Sequence, residues 1–147
     1  MSINETAPIV ARHDIIVQAP VETVWAAHTR INDWPLWQQD ITRAAPTSAL
    51  VVGSTFSWET AGLDIVSVID AVEPSHGIAW HGEANGVLGI HVWTFSPNEG
   101  GTLVTTEESW EGPALPSDVG ELQRALDTSL ARWLSYLKTR VEREEVR

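Results

Sequence analysis

The sequence contains no cysteine among its 147 residues. This absence excludes a disulfide framework, a thiolate nucleophile and a thiolate metal site. Basic residues are also few, nine Lys and Arg against twenty Asp and Glu, which gives a formal net charge of −11. Because a chain of this charge repels phosphate groups, we expect neither nucleic-acid binding nor association with an anionic membrane surface.

Long apolar runs and targeting signals are missing as well. No stretch approaches the roughly 20 apolar residues that a membrane-spanning helix requires, so no membrane insertion is expected. The first residues, Met1 to Glu5, lack the basic region and the apolar stretch of a secretory signal peptide. The expected location is therefore the cytoplasm.

Common metal and cofactor motifs do not occur either. The five histidines show no HxxxH or HExxH spacing, so no metal site is predicted. A Gly-x-Gly-x-x-Gly turn and a Walker-type loop are missing, and we expect no cofactor. The absence of Gly-x-Ser-x-Gly argues against a serine hydrolase with a nucleophile elbow.

Tryptophan is the aromatic residue that the sequence has in quantity. Eight Trp stand beside two Phe and one Tyr. Indole is large, flat and apolar with one N–H donor, so it can fill a core or line a pocket for a flat ligand. The content of 43 % hydrophobic and 20 % charged residues is typical of a folded domain, and the length suits a single one, residues 1–147.

Hydrophobic periodicity predicts an α+β protein. A β-branched run predicts a strand over 9–18, and helical spacing predicts two short helices over 21–29 and 30–38. Leucines spaced four apart predict a long helix over 117–145. Six further strands, joined by turns such as Asn85-Gly86, are predicted at 40–45, 54–60, 62–73, 77–84, 87–96 and 102–111. The expected fold is a seven-stranded curved antiparallel sheet wrapped around the long C-terminal helix, with the two short helices between strands 1 and 2.

Segments spread over nearly the whole chain resemble those of a known superfamily. They are IVQAPVETVW (16–25), INDWPLW (31–37), VGSTFSW (52–58), VEP (72–74) with IAW (78–80), HVWTF (91–95) and GGTLVTTEESWEG (100–112). The sequence is similar to the START-like helix-grip superfamily, also called SRPBCC, and in particular to its polyketide cyclase/dehydrase-like branch. The resemblance implies one helix-grip domain with a cavity for a hydrophobic ligand. Members of the superfamily include polyketide cyclases, lipid and hormone binders and co-chaperone domains, so the fold alone leaves the function open.

Two residues are candidates for acid/base catalysis, His91 and Glu108. Alternate side chains of a strand share a face, so His91 lies with Trp93, and Glu108 lies with Thr106 and Trp110. The turn at 96–101 makes these two strands a hairpin, which brings His91 beside Thr106 or Glu108. An inward His–Glu pair in an apolar pocket suits proton transfer, although such pairs are also common as purely structural hydrogen-bond partners.

The indole side chains are the candidate ligand contacts. Trp34 and Trp37 flank Pro35 on a short predicted helix, where they either form a lid over the cavity or pack that helix on the end of the sheet. The other indoles are placed on inward strand faces or on the long helix, where they fill the core or wall the cavity. The full set of predicted ligand-binding residues is Trp34, Trp37, Trp58, Trp80, Trp93, Thr106, Trp110 and Trp133.

Three functions remain open from the sequence. The first is a cofactor-independent cyclase or dehydratase that acts on an aromatic or polyketide-type substrate. The second is a binder or carrier of a flat hydrophobic ligand without chemistry, which predicts few polar groups in the cavity. The third is a co-chaperone-like interaction domain with a packed interior and an exposed apolar patch. The expected partner is a hydrophobic small molecule, and the chain is expected to be a monomer or a homodimer.

Overall fold

The computed structural model describes residues 2–46 and 49–145. Seven strands form one antiparallel sheet in the order β1-β7-β6-β5-β4-β3-β2. Strands β2 to β7 are neighbours in the sheet in the same order as in the chain, which makes them an antiparallel meander. The strands are β1 (Ile9–Val17), β2 (Ile41–Pro46), β3 (Thr55–Thr60), β4 (Leu63–Glu73), β5 (Gly77–Ala84), β6 (Val87–Asn98) and β7 (Gly101–Glu111).

The turns of the meander follow the expected chemistry. Asn85 and Gly86, between β5 and β6, have φ angles of 51° and 77°. Two-residue hairpin turns need positive φ at both central residues, which Asn and Gly tolerate better than other residues. The Asn85-Gly86 hairpin that the sequence predicts is therefore confirmed.

The helices lie close to where the periodicity predicts them, but the long helix begins at Gly120 rather than at residue 117, and the second short helix is divided. Helix α1 covers Val21–Thr29, and the long helix α3 covers Gly120–Glu145. The second short helix is split into a 3₁₀ turn, Ile31–Asp33, followed by the single α-helical turn α2, Trp34–Trp37. Pro35 stands in the first turn of α2, a position where its missing N–H breaks no helical hydrogen bond.

Helix α3 packs along β1 rather than over the middle of the sheet. Its Leu126 and Leu130 are buried against Ile9 and Ala11 of β1. The side-chain amide of Gln123 donates a hydrogen bond of 2.9 Å to the backbone carbonyl of Val10. The predicted packing of the long helix on the sheet is confirmed, and the space between α3 and the inner sheet face holds the main core.

Within residues 2–46 and 49–145, no helix is both long and apolar enough to cross a bilayer.

Candidate functional site

His91 and Glu108 meet on the inner face of the sheet. They are directly opposite partners in the antiparallel pairing of β6 with β7. His91 Nδ1 lies 3.2 Å from Glu108 Oε1, and His91 Nε2 makes a hydrogen bond of 2.7 Å with the Thr106 hydroxyl. The indole N–H of Trp110 donates a hydrogen bond of 2.6 Å to Glu108 Oε2. The structure thus brings together four of the predicted site residues.

The environment shifts the pKa values of His91 and Glu108 in opposite directions. Burial raises the pKa of Glu108 from its ordinary 4.5 to about 7, and the hydrogen bond from Trp110 partly opposes the rise. Burial, and secondarily the nearby His28 imidazole, lower the pKa of His91 well below its ordinary 6.5. Near neutral pH His91 is therefore uncharged, and Glu108 exchanges readily between its acid and carboxylate forms.

A patch without side chains adjoins Glu108. Gly82 of β5 and Gly89 of β6 are directly opposite partners, and both would direct a Cβ to the inner face. A Cβ at Gly89 would lie 3.4 Å from Glu108 Oε2, and one at Gly82 would lie 2.9 Å from the Ser67 hydroxyl. Larger residues would therefore occupy the space beside the carboxyl group.

This part of the inner face is open to solvent, unlike the rest of the core. The Glu108 side chain is 17 % exposed, whereas that of His91 is 3 % exposed. Gly82, Gly89 and Trp110 are also partly exposed. We call the five residues Gly82, Gly89, His91, Glu108 and Trp110 the Glu108 recess. Sequence reasoning did not assign the two glycines to the site, although glycine within a strand signals a bend or a close approach.

Behind His91 the interior is filled by indole rings. Trp34, Trp58, Trp80, Trp93 and Trp133 are each at most 8 % exposed. Their contacts are mostly edge-to-face or tilted, as aromatic rings prefer, with centroids such as those of Trp93 and Trp133 5.3 Å apart. The resemblance to the helix-grip superfamily implies a cavity, which the indoles are expected to wall or to fill. These five rings contact one another and fill this part of the interior. We call these five residues the tryptophan cluster.

The remaining predicted contacts lie at the edges of this cluster. Trp37, the last residue of α2, is buried in the same core as the tryptophan cluster. Trp110 is separate, because its half-buried ring packs with Leu126 and the other residues that join α3 to β1. Thr106 is fully buried, so its contact with the site is the hydrogen bond to His91.

His28 is a site residue that the sequence analysis did not select. It stands at the end of α1, is fully buried, and its ring centroid lies 4.3 Å from that of Trp93. Burial lowers its pKa from 6.5 to about 3, so it is uncharged at neutral pH. The available signal was its spacing of four from Val24, since both residues face the core.

Two surface clefts lie away from these residues. One, of about 340 Å³, opens between the 3₁₀ turn and the β2–β3 connection, where Arg30, Asp33 and Ser54 line it. The other, of about 360 Å³, lies on the outer sheet face beside Asp70 and His81. Neither contains a predicted site residue. Within the described ranges no three His, Asp or Glu side chains group as metal ligands would.

The architecture and the buried aromatic core define a helix-grip protein of the START-like kind. The chain belongs to the family described as polyketide cyclase/dehydrase and lipid transport, whose family model matches residues 8–142. None of the curated proteins matches the sequence.

Solved structures show the same fold at low sequence identity. An aromatase/cyclase named Zhui, from a Streptomyces species, superposes with a TM-score of 0.81 at 16 % identity, covering 94 % of this chain and 95 % of that one. A START superfamily protein from Mycobacterium smegmatis gives 0.78 at 15 % identity, with coverage of 91 % and 97 %. A hypothetical protein from Helicobacter pylori gives 0.80 at 18 % identity, with coverage of 95 % and 91 %.

Proposed function

We propose that the protein binds a hydrophobic, ketone-bearing ligand of the polyketide type at the Glu108 recess and catalyses its cyclisation or dehydration by proton transfer. The observation that carries this proposal is the state of Glu108, a partly exposed carboxyl on an indole-lined wall whose pKa of about 7 matches neutral pH. A general acid or base is most efficient when its pKa lies near the working pH. The family description and the aromatase/cyclase among the structural relatives support the substrate class.

Glu108 serves these reactions in both of its protonation states. Its carboxylate removes a proton from the carbon next to a ketone, and the C–H electron pair forms an enolate. In a dehydration the carbonyl then re-forms and expels a β-hydroxyl group, which takes the proton from Glu108 and leaves as water. In a ring closure the enolate carbon attacks a second carbonyl, and the new alkoxide takes the same proton. Each sequence returns Glu108 to its carboxylate, so these steps need no cofactor.

His91 acts as a positioning residue in this scheme. Its lowered pKa makes it a weak base, so it is less suited than Glu108 to remove a carbon-bound proton. Its ring is fixed by the hydrogen bond with the buried Thr106 hydroxyl. From that fixed ring, Nδ1 lies 3.2 Å from Glu108 Oε1 and limits the orientations of the carboxyl group.

Replacing Glu108 with Gln is expected to abolish proton transfer while leaving ligand binding intact. The test substrate is 2-tetralone, a bicyclic aromatic ketone, and the measurement is deuterium uptake at its α-carbon, followed by NMR in D₂O. We expect the protein-catalysed rate to fall about 100-fold or more, the usual contribution of a positioned acid or base. In the wild type the rate is expected to rise with pH through about 7 and then level, as Glu108 loses its proton.

The matched control is Glu107→Gln, one residue away on the same strand. Glu107 lies on the outer sheet face, where it pairs with Arg12, so its replacement is expected to leave the exchange rate unchanged. A Glu108→Gln variant that exchanges as fast as the wild type would remove Glu108 from the mechanism.

A non-catalytic binder is the second candidate, and one observation favours it. The polar groups of the site satisfy one another, since Trp110 donates to Glu108 and His91 bonds to Thr106. In that case aromatic ketones change the tryptophan fluorescence saturably, whereas deuterium uptake in the wild type equals that in buffer.

A further inference from the structure

Three buried ring systems near His91 carry polar atoms without a partner. Both ring nitrogens of His28 and the indole nitrogens of Trp93 and Trp133 find no hydrogen-bond partner among the described residues. All three side chains are at most 3 % exposed. A buried polar group without a partner is unfavourable, and most buried indole N–H groups find one.

Three other indoles of the protein donate hydrogen bonds in the ordinary way. Trp34 donates to the backbone carbonyl of His28 at 2.8 Å, and Trp58 donates to the Ser67 hydroxyl at 3.1 Å. Trp110 donates to Glu108. The unpaired donors therefore do not reflect a general property of this core.

The unpaired groups are concentrated at one place, directly behind the Glu108 recess. The ring centroids of Trp93 and Trp133 are 5.3 Å apart, and those of His28 and Trp93 are 4.3 Å apart. His91 adjoins both indoles, with its ring centroid 5.4 Å from Trp93 and 5.2 Å from Trp133. The same His91 contacts Glu108, so the two indoles and the carboxyl group adjoin one imidazole.

We propose that the indole N–H groups of Trp93 and Trp133 bind the carbonyl oxygen of the ketone. The sequence predicts both residues only as general ligand contacts and assigns them no polar role. The inference rests on the proposed function, since it names the polar group of that ligand. An indole offers only a donor, so two neighbouring indoles fit an acceptor with two lone pairs. The acceptor is a neutral carbonyl rather than a carboxylate, because a buried anion would need a cation, and the histidines here are uncharged at neutral pH.

This arrangement also fits the chemistry of Glu108. When Glu108 removes the α-proton, negative charge develops on the carbonyl oxygen. Donors fixed in a dry site stabilise such charge more strongly than water does. Since the rings of the tryptophan cluster contact one another, binding requires the Trp133 ring, which adjoins His91 of the recess, to move. We expect that movement to change the fluorescence of Trp133.

The test compares two ligands of matched shape, 2-tetralone with its carbonyl and tetralin without it. Dissociation constants are measured by equilibrium dialysis for the wild type, Trp93→Phe and Trp133→Phe. We expect the wild type to prefer the ketone, and each variant to lose about tenfold of that preference, because one hydrogen bond to the oxygen is removed. Any change in ring volume affects both ligands and cancels in the ratio.

The matched control is Trp25→Phe, which removes an indole that contacts Phe95 and belongs to neither the Glu108 recess nor the tryptophan cluster. We expect its ketone-to-tetralin ratio to equal that of the wild type. A second measurement uses the wild type alone: in its NMR spectra, the indole N–H signals of Trp93 and Trp133 are expected to shift further downfield with 2-tetralone than with tetralin, because only the ketone accepts a hydrogen bond from them.

The outcomes separate this inference from the proposed function. If both ligands bind with equal affinity, or if the two indole signals shift no further downfield with the ketone than with tetralin, the carbonyl subsite is overturned while the ligand site stands. If neither ligand binds the wild type, both fail. Loss of proton transfer in Glu108→Gln is independent of the ketone-to-tetralin ratio, so it tests the proposed chemistry alone.

Discussion

Replacing Glu108 with Gln is expected to stabilise the protein at pH 8 by about 3 kcal/mol more than the same replacement does at pH 4. The folded protein holds the proton of Glu108 up to a pH of about 7, whereas the unfolded chain releases it near 4.5. Between these values the folded state binds more protons than the unfolded state, so stability falls as pH rises. Gln carries no titrating proton and does not incur this loss.

The measurement is urea unfolding of the wild type and the variant at intervals from pH 4 to pH 8. The stability difference is expected to be small near pH 4, to grow between 4.5 and 7, and to level above 7. The outer-face variant Glu107→Gln serves as the control and is expected to show no such growth. Parallel stability curves for the wild type and Glu108→Gln would contradict the raised pKa and with it the basis of the proposed chemistry.

The buried His28 opposes this trend without disturbing the comparison. The folded protein keeps His28 uncharged down to about pH 3, whereas the unfolded chain binds its proton below about 6.5. Stability from this group is therefore lost as pH falls through that range. Because both the wild type and Glu108→Gln contain His28, its contribution cancels in their difference.

Replacing Trp34 with Ala is expected to lower the free energy of unfolding by about 4 kcal/mol, within the range for large aromatic residues cut to Ala in a core. Trp34 is fully buried and makes ring contacts with members of the cluster and with Phe56. Its indole N–H also donates to the carbonyl of His28, one of the last carbonyls of α1. Carbonyls at a helix end lack partners within the helix, so this bond connects α1 to α2.

Urea unfolding at one pH measures this loss of stability. One further variant separates the ring contacts from the hydrogen bond, and another serves as a comparison. Trp34→Phe keeps most of the ring contact but removes the bond to His28, and we expect it to cost about 2 kcal/mol. Trp25→Ala is the comparison, because Trp25 is only half-buried and contacts the core through Phe95 at 5.5 Å. If Trp34→Ala cost no more than Trp25→Ala, Trp34 would not be a central member of the cluster.

The strand pattern is where sequence reasoning succeeded. The placement of His91 beside Thr106 or Glu108 follows from alternation along two strands and from one short turn, and the observed register puts His91 directly opposite Glu108. These signals act over a few residues, so neighbouring positions in the chain suffice to read them.

The packing of the interior is the part of the structure that the sequence did not predict. The sequence shows that indoles face inward, but whether they line a space or contact one another depends on where α3 lies over the sheet. Gly82 and Gly89 lie opposite each other because β5 pairs with β6 in one particular register. The sequence around either glycine does not reveal that the other is its partner. His28 reaches the cluster because α1 packs over it, which its local spacing only suggests.

The sequence by itself determined the order of the elements, the faces of the strands and the family, because each is written in local periodicity and short motifs. Only the tertiary structure decided the proton affinity of Glu108, since that depends on how little water reaches its carboxyl group once the sheet and helix enclose it. The same enclosure decided which indole donors have partners and which do not. Burial is a property of the assembled layers, and no stretch of sequence encodes it alone.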